Sequence, residues 1–322
     1  MVMVALAAFH VENGLKAGRG SGDVSVGPVF AYESPTLPVY SSKTPVNSGA
    51  DGYYIQNFSG VVAPPQDLAF SRVESTPPPS ISAEEALVGD LRSGTIYFAT
   101  SSGSRWPLAS LTKLMSATLV SERLKPDQAV VFIPEDMVDG DNLYWNVFVP
   151  GFSYSVSDLL GAMLVGSSNE AAKSLARIAG GDSFVDDMNK KAANWGLGQT
   201  HFKDPAGISA ANQSSAEDVF KMISTIHENY PQIFKITQNS KITVTELNSK
   251  KKNVIQSTHN YAGRSDFLGG KTGTTPEAGE NLATIISYGK REVVIIALGA
   301  SDRYKDTDEL IRWFKNDWSP GY

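Results

Sequence analysis

Apolar and polar positions along most of this chain fall into two rhythms. EEALVGDLRSGTIYFA, residues 84–99, carries two short runs around a turn at Arg92, Ser93 and Gly94, which predicts a strand pair. PLASLTKLMSATLV, residues 107–120, repeats apolar residues at helical spacing and predicts a helix from about Ser110. In SYSVSDLLGAMLVGSS, Ser155 and Asp158 have capping-box spacing ahead of an apolar run, and SSAEDVFKMISTIHE repeats the signal with Ser214 and Glu217. KITVTELNSKKKNVIQ and NLATIISYGKREVVIIALG read as hairpins, the second turning at Gly289 and Lys290. DTDELIRWFKNDW closes the chain as a helix. Late strands joined by tight turns must be antiparallel. Helices packed on such a sheet make an α+β domain, expected over residues 81–322.

The N-terminal quarter breaks both rhythms. Nine of the 17 prolines fall between Pro28 and Pro79, among many Ser, Gly and Thr, and STPPPS closes the stretch. Such a composition buries too little apolar surface to fold alone, so residues 1–80 are expected to be an apolar N-terminus and a disordered linker. The opening MVMVALAAF is apolar but has no basic start and is too short to span a bilayer. It fits a remnant of a signal or anchor, with membrane proximity as its consequence, or a plain apolar start.

Composition narrows the chemistry. A net charge of −6 disfavours a nucleic-acid binder. The absence of cysteine removes disulfides, thiolate metal sites and cysteine nucleophiles together. Four histidines remain to activate a serine: His10, His201, His227 and His259. None has an aspartate partner evident in the sequence, so a Ser–His–Asp triad is unsupported. FLGGKTGTT is not a phosphate loop, because the glycine required five positions before Gly270 is Ser265.

Lysine is then the available base. Its ordinary pKa near 10.4 falls by several units when the amine is buried. Residues i and i+3 share a helix face, so Ser110 and Lys113 can hydrogen-bond, with Leu108, Leu111, Leu114 and Met115 as desolvating walls. The spacing alone is weak: Ser249 and Lys252 repeat it inside NSKKKN, which reads as a solvated turn. VGSSNEAAKSLA puts Ser167 and Asn169 between two helices, either aimed into a cleft or serving as caps. GGKTGTT puts Lys271, Thr272, Gly273 and Thr274 on a strand. There the glycines either admit a substrate backbone or form a bulge.

S-x-x-K, S-x-N and K-T-G in this order resemble the signature of penicillin-binding proteins and serine β-lactamases. WPLASLTKLMSA, SVSDLLGAMLVGSSNEAAKSLA, THFKDPAGIS, SSAEDV and LGGKTGTTPEAGENLAT together are similar to the low-molecular-weight D-alanyl-D-alanine carboxypeptidases over about residues 80–318. With the sequence ending at Tyr322, the β-rich C-terminal domain many such proteins carry is expected to be missing. The resemblance implies an antiparallel sheet flanked by helices, with a helical subdomain and the active site between them. It also implies a set of roles. Ser110 would attack the D-Ala–D-Ala carbonyl of a peptidoglycan stem peptide, and Lys113 would take its proton. Ser167 would relay a proton to the leaving amine, Asn169 would hold Lys113 and the substrate backbone, and Lys271 would set the local positive potential. Thr272, Gly273 and Thr274 would line the substrate strand, with Arg303 facing the substrate carboxylate. The backbone N–H groups of Ser110 and Thr274 would form the oxyanion hole. β-Lactams would be covalent inhibitors, no metal or cofactor would be needed, and the protein would act outside the cytoplasm, in the cell envelope. Ser168 and Thr274 depart from the residues usual in the family, and Tyr144 and Trp145 make one loop unusually aromatic.

Three rivals remain. A class A β-lactamase would need a glutamate with asparagine four residues on, and Glu170, Glu217, Glu228 and Glu246 all lack it. A DD-endopeptidase would use the same residues. An idle wall-binding protein would not need every motif side chain intact.

Overall fold

The computed structural model describes residues 70–138 and 147–320; Tyr144 and Trp145, and the apolar opening of the chain, lie outside the described residues. A five-stranded antiparallel sheet runs in the order β10-β11-β12-β2-β3. Its strands are β2 (Glu85–Asp90), β3 (Ile96–Thr100), β10 (Phe267–Thr275), β11 (Gly279–Tyr288) and β12 (Arg291–Ala300). The predicted turns at 92–94 and 289–290 join β2 to β3 and β11 to β12. Both faces are covered, which is why VVIIAL reads as an unbroken apolar run. Val293 and Ile295 pack with Leu310 and Phe314 of α7 (Arg303–Asp317). Val294, Ile296 and Leu298 face the other way, into the larger cluster built with the remaining helices.

Those helices are α1 (Lys113–Arg123), α2 (Val156–Leu164), α3 (Asn169–Ala179), α4 (Phe184–Asn194), α5 (Ala216–Asn229) and α6 (Pro231–Thr237). Ser155 caps α2 as its spacing predicts, accepting the Asp158 N–H at 3.1 Å. The α5 cap is shifted by one: Ser215 accepts the Asp218 N–H at 3.2 Å. Ser214 instead lies in β7 (Gln213–Ser214), paired with β4 (Trp106–Pro107), and Glu217 accepts from Ser102 Oγ. The serine doublet offered two registers, and strand pairing took the first residue. Two further short strand pairs lie among the helices. They are β5 (Ala129–Val131) with β6 (Ser153–Ser155), and β8 (Lys241–Thr245) with β9 (Lys252–Gln256).

The expected boundary at residue 80 moves. β1 (Phe70–Arg72) pairs with β13 (Trp318–Pro320), and Phe70 is buried against Tyr97, Tyr288 and Phe314. The following Pro-rich stretch is fastened to α7. Thr76 donates its N–H and hydroxyl to Asp317, and Ser82 does the same to Asp306. Composition recorded the prolines but not the carboxylates waiting at the far end of the chain.

Candidate active site

The helix expected from Ser110 begins later. Ala109–Thr112 is a 3-10 turn, and α1 starts at Lys113. A 3-10 turn eclipses residues i and i+3, so the change of helix type brings the Ser110 and Lys113 side chains closer into line. The turn opens at Ala109 with φ of 47°, a left-handed conformation costing about 1–3 kcal/mol for a residue other than glycine. Ser167, in the α2–α3 link, is left-handed as well, at φ 61°. Two backbones under strain thus present the two candidate hydroxyls.

Lys113 is fully buried. Its Nζ lies 2.6 Å from Ser110 Oγ, 2.7 Å from Asn169 Oδ1 and 2.6 Å from the Ala206 carbonyl oxygen. Burial pulls its pKa down to about 7, with the charges of Asp204 and Glu170 holding it up in part. A neutral amine has two N–H groups and one lone pair. Asn169 Oδ1 and the Ala206 carbonyl can only accept, so they take the two N–H groups and leave the lone pair for the Ser110 O–H.

Lys271, also buried, donates from Nζ to Ser167 Oγ at 2.8 Å and to the Thr272 carbonyl at 2.9 Å. Burial first, then the positive charges of Lys113 and Arg303, push its pKa well below the ordinary lysine value. Ser110, Ser167 and Asn169 are partly exposed above the two amines, so the site has a dry basic floor and a wet hydroxyl rim. Asn169 is free for Lys113 because Ser168 takes the capping duty, accepting the Ala171 N–H at 3.1 Å and donating to Glu170 at 2.8 Å. The departure at Ser168 is therefore a helix cap.

β10 is the edge strand that closes the site. Gly270 N–H bonds Thr237 Oγ1 and the Thr272 carbonyl accepts from Lys271, so even-numbered backbone groups point off the sheet. Strand alternation puts the Thr274 N–H on that same edge. Gly273 lets the strand meet the protein's own 3-10 turn: a Cβ there would sit 2.9 Å from the Leu108 carbonyl oxygen and 3.0 Å from the Ser110 nitrogen. Gly269, at φ 135°, forms the bulge, and Gly270 lies against His259. Arg303 opens α7 and reaches back to this strand. It donates to Thr274 Oγ1 at 2.6 Å and to the Gly273 carbonyl at 3.0 Å, with Glu280 pairing its Nε at 3.2 Å.

The structure therefore gathers all nine residues singled out from the sequence around one edge. Of the four histidines, His10 lies outside the described residues, and the other three stand aside from the site. His259 is buried behind Gly270; burial and the Lys271 charge pull its pKa down to about 3, so it stays neutral. His227 pairs with Glu292, and His201 is exposed beside β7. Sequence reasoning missed three contributors. Ala206 acts through a carbonyl that every residue owns. Thr258 Oγ1 sits 2.8 Å from Thr272 Oγ1. Asp204, at the Asp-Pro turn of FKDPAG, carries the only readable signal of the three, a turn-forming dipeptide ahead of a glycine.

The profile of the D-alanyl-D-alanine carboxypeptidase family matches residues 72–302, and the chain belongs to that family. It is 27% identical over 263 residues to D-alanyl-D-alanine carboxypeptidase DacC of Escherichia coli, covering 76% of this chain and 64% of that one. It is 31% identical over 266 residues to DacD of the same organism, covering 76% and 66%. The chain thus spans just under two thirds of the length of these relatives. It spans 83% of the D-alanyl-D-alanine endopeptidase of Escherichia coli, at 27% identity over 78% of this chain. Among solved structures, a D-alanyl-D-alanine carboxypeptidase from Mycobacterium tuberculosis superposes with a TM-score of 0.70 at 28% identity, covering 76% of this chain and 95% of that one. Penicillin-binding protein D2 from Listeria monocytogenes, in its cefotaxime-bound form, gives 0.66 at 28% identity, covering 74% and 98%.

Proposed function

We propose that this chain is a serine D-alanyl-D-alanine carboxypeptidase that trims peptidoglycan stem peptides through an acyl-enzyme. The observation that carries the reading is the Lys113 amine, 2.6 Å from Ser110 Oγ with its other two acceptors in place. A pKa of about 7 leaves roughly half of the amine neutral at pH 7, against about one part in 2,500 at the ordinary lysine value. Lys113 takes the Ser110 proton as Oγ attacks the carbonyl between the two D-alanines. The Ser110 and Thr274 N–H groups receive the oxyanion, each donor worth about 2.7–4 kcal/mol in comparable sites. Ser167, bonded to Lys271, passes a proton to the departing amine, and water then releases the acyl group. Thr272, Thr274 and Arg303 receive the terminal carboxylate, with Gly273 keeping the strand against the turn.

A β-lactam carries the same carbonyl and carboxylate and acylates Ser110; none of Glu170, Glu217, Glu228 and Glu246 has an asparagine four residues on, so release is slow. The substrate puts the protein outside the cytoplasm, in the cell envelope. No helix among the described residues is long and apolar enough to cross a membrane.

Labelling with a fluorescent penicillin tests the reading. Wild type should label one to one and Ser110→Ala should not; a folded wild type that takes no label sinks it. A second reading, DD-endopeptidase, is favoured by the 83% span of the endopeptidase relative. Mass spectrometry of digested muropeptides separates the two, because one releases free D-alanine and the other opens crosslinks.

A further inference from the structure

The loop at 204–209 sits directly behind the lysine amine, and its organisation centres on one carboxylate. Asp204 Oδ1 accepts the N–H groups of Ala206, Gly207 and Ile208 at 2.8, 2.6 and 3.1 Å. Its Oδ2 accepts the Ser209 N–H at 2.8 Å and Asn212 Nδ2 at 2.6 Å. All five partners are donors, so the arrangement fits an ionised carboxylate and nothing else: a carboxylic acid or an amide would set a donor against a donor. Burial pushes the Asp204 pKa up, and the N–H donors of Ser209, Ile208 and Ala206 outweigh it, holding the group below the usual carboxylate range.

One of those bonds has a second end. The Gly207 N–H belongs to the peptide unit whose carbonyl, that of Ala206, accepts from Lys113 Nζ at 2.6 Å. In a trans peptide the N–H and C=O point opposite ways. Pinning the N–H on Asp204 therefore aims the carbonyl at Lys113, and the anion polarises it into a stronger acceptor. The loop cannot drift from this position. Ser116, three residues after Lys113 on α1, donates to the Pro205 carbonyl at 2.6 Å. Gly207, at φ 80°, lies so close beneath the 3-10 turn that a Cβ would fall 1.9 Å from the Ala109 carbonyl oxygen.

We infer that Asp204 is the positioning residue for Lys113, orienting the amine at Ser110 through the Ala206–Gly207 peptide much as an aspartate orients a histidine base. The inference rests on the reading of Lys113 as the base. Asp204 also biases that base by charge. Of the charged groups facing Lys113, Asp204 and Glu170 favour the ammonium, whereas Lys271 opposes it across the site. Asn169 and Ser110 complete the surroundings as neutral partners.

The test is the pH profile of acylation by a fluorescent penicillin, with thermal unfolding as the check on folding. Asp204→Asn should lower the plateau rate at least about tenfold, the scale of a misplaced catalytic group. It should also move the acid limb to lower pH by about half a unit or more, because the ammonium loses both its carbonyl acceptor and a nearby negative charge. Asn212→Ala removes one donor but keeps the charge, and should leave the limb in place. A merely structural role would lower the plateau of both variants and move neither limb. A folded Asp204→Asn protein with the wild-type plateau or limb overturns the inference. Should that variant fail to fold, Asp204→Ser decides by the same two readouts: the limb should move to lower pH and the plateau fall, and a wild-type limb or plateau overturns the inference. A wild type that labels no better than Ser110→Ala would instead remove the reading of the site itself.

Discussion

Two of the chain's three Ser-x-x-Lys tetrads, Ser110 with Lys113 and Ser249 with Lys252, cannot be told apart by sequence spacing. Ser110 and Lys113 lie where a 3-10 turn enters α1, with the lysine fully buried and its nitrogen held by three oxygens. Ser249 and Lys252 lie at the tip of the β8–β9 hairpin. There Ser249 Oγ accepts the Lys251 N–H at 3.2 Å, and Lys250, Lys251 and Lys252 all point into solvent. The spacing supplies proximity in both places. Removal of water, and two acceptors that fix the amine's N–H groups, occur only in the first. A lysine becomes a base through what surrounds it, and the hairpin tetrad is an internal control for that statement.

The comparison breaks most sharply at Lys113. Lys113→Ala should lower the second-order rate of penicillin acylation by about 10²–10⁴-fold, the usual worth of a positioned general base. Stopped-flow or gel-based labelling measures it. Gly207→Ala comes next. A methyl group 1.9 Å from the Ala109 carbonyl, at φ 80°, must displace the loop or the turn. It should cost about 2–4 kcal/mol in urea unfolding, combining overpacking with left-handed strain, and lower labelling with it.

A third expectation concerns pH. As the proposed base, Lys113 works only when neutral, and burial pulls its pKa down to about 7. Acylation should therefore rise about tenfold per pH unit below 7 and level off above it. A profile still climbing steeply to pH 10 would mean that burial has not lowered Lys113 from the ordinary lysine value. The smallest effect belongs to the control: Lys252→Ala should leave acylation within about twofold and stability within about 0.5 kcal/mol, as for an exposed surface change.

The side chains of the site were legible because their types and spacings are local: S-x-x-K on one turn, S-x-N in one link, K-T-G on one strand. What stayed hidden was supplied by the backbone or by distant sequence. The Ala206 carbonyl reaches Lys113 across 93 residues, and no residue type announces a carbonyl. The strand order was legible as far as adjacent hairpins went. The insertion of β2 beside β12 was not, because it joins segments about two hundred residues apart. The linker reading of residues 70–80 failed for the same reason, since its partners, Asp317 of α7 and the strand β13, come from the far end of the chain. The one-residue error at the α5 cap was different in kind: both serines could cap, and only pairing with Trp106 decided between them.

The β1–β13 pairing sets Phe70 opposite Pro320, so the chain enters and leaves the described domain side by side. Tension applied through its two ends would peel this three-residue clasp apart one rung at a time, as a zipper opens. The load would reach β1 and β13 before the central sheet, and the proposed substrate edge at β10 would stay mechanically sheltered behind β11 and β12.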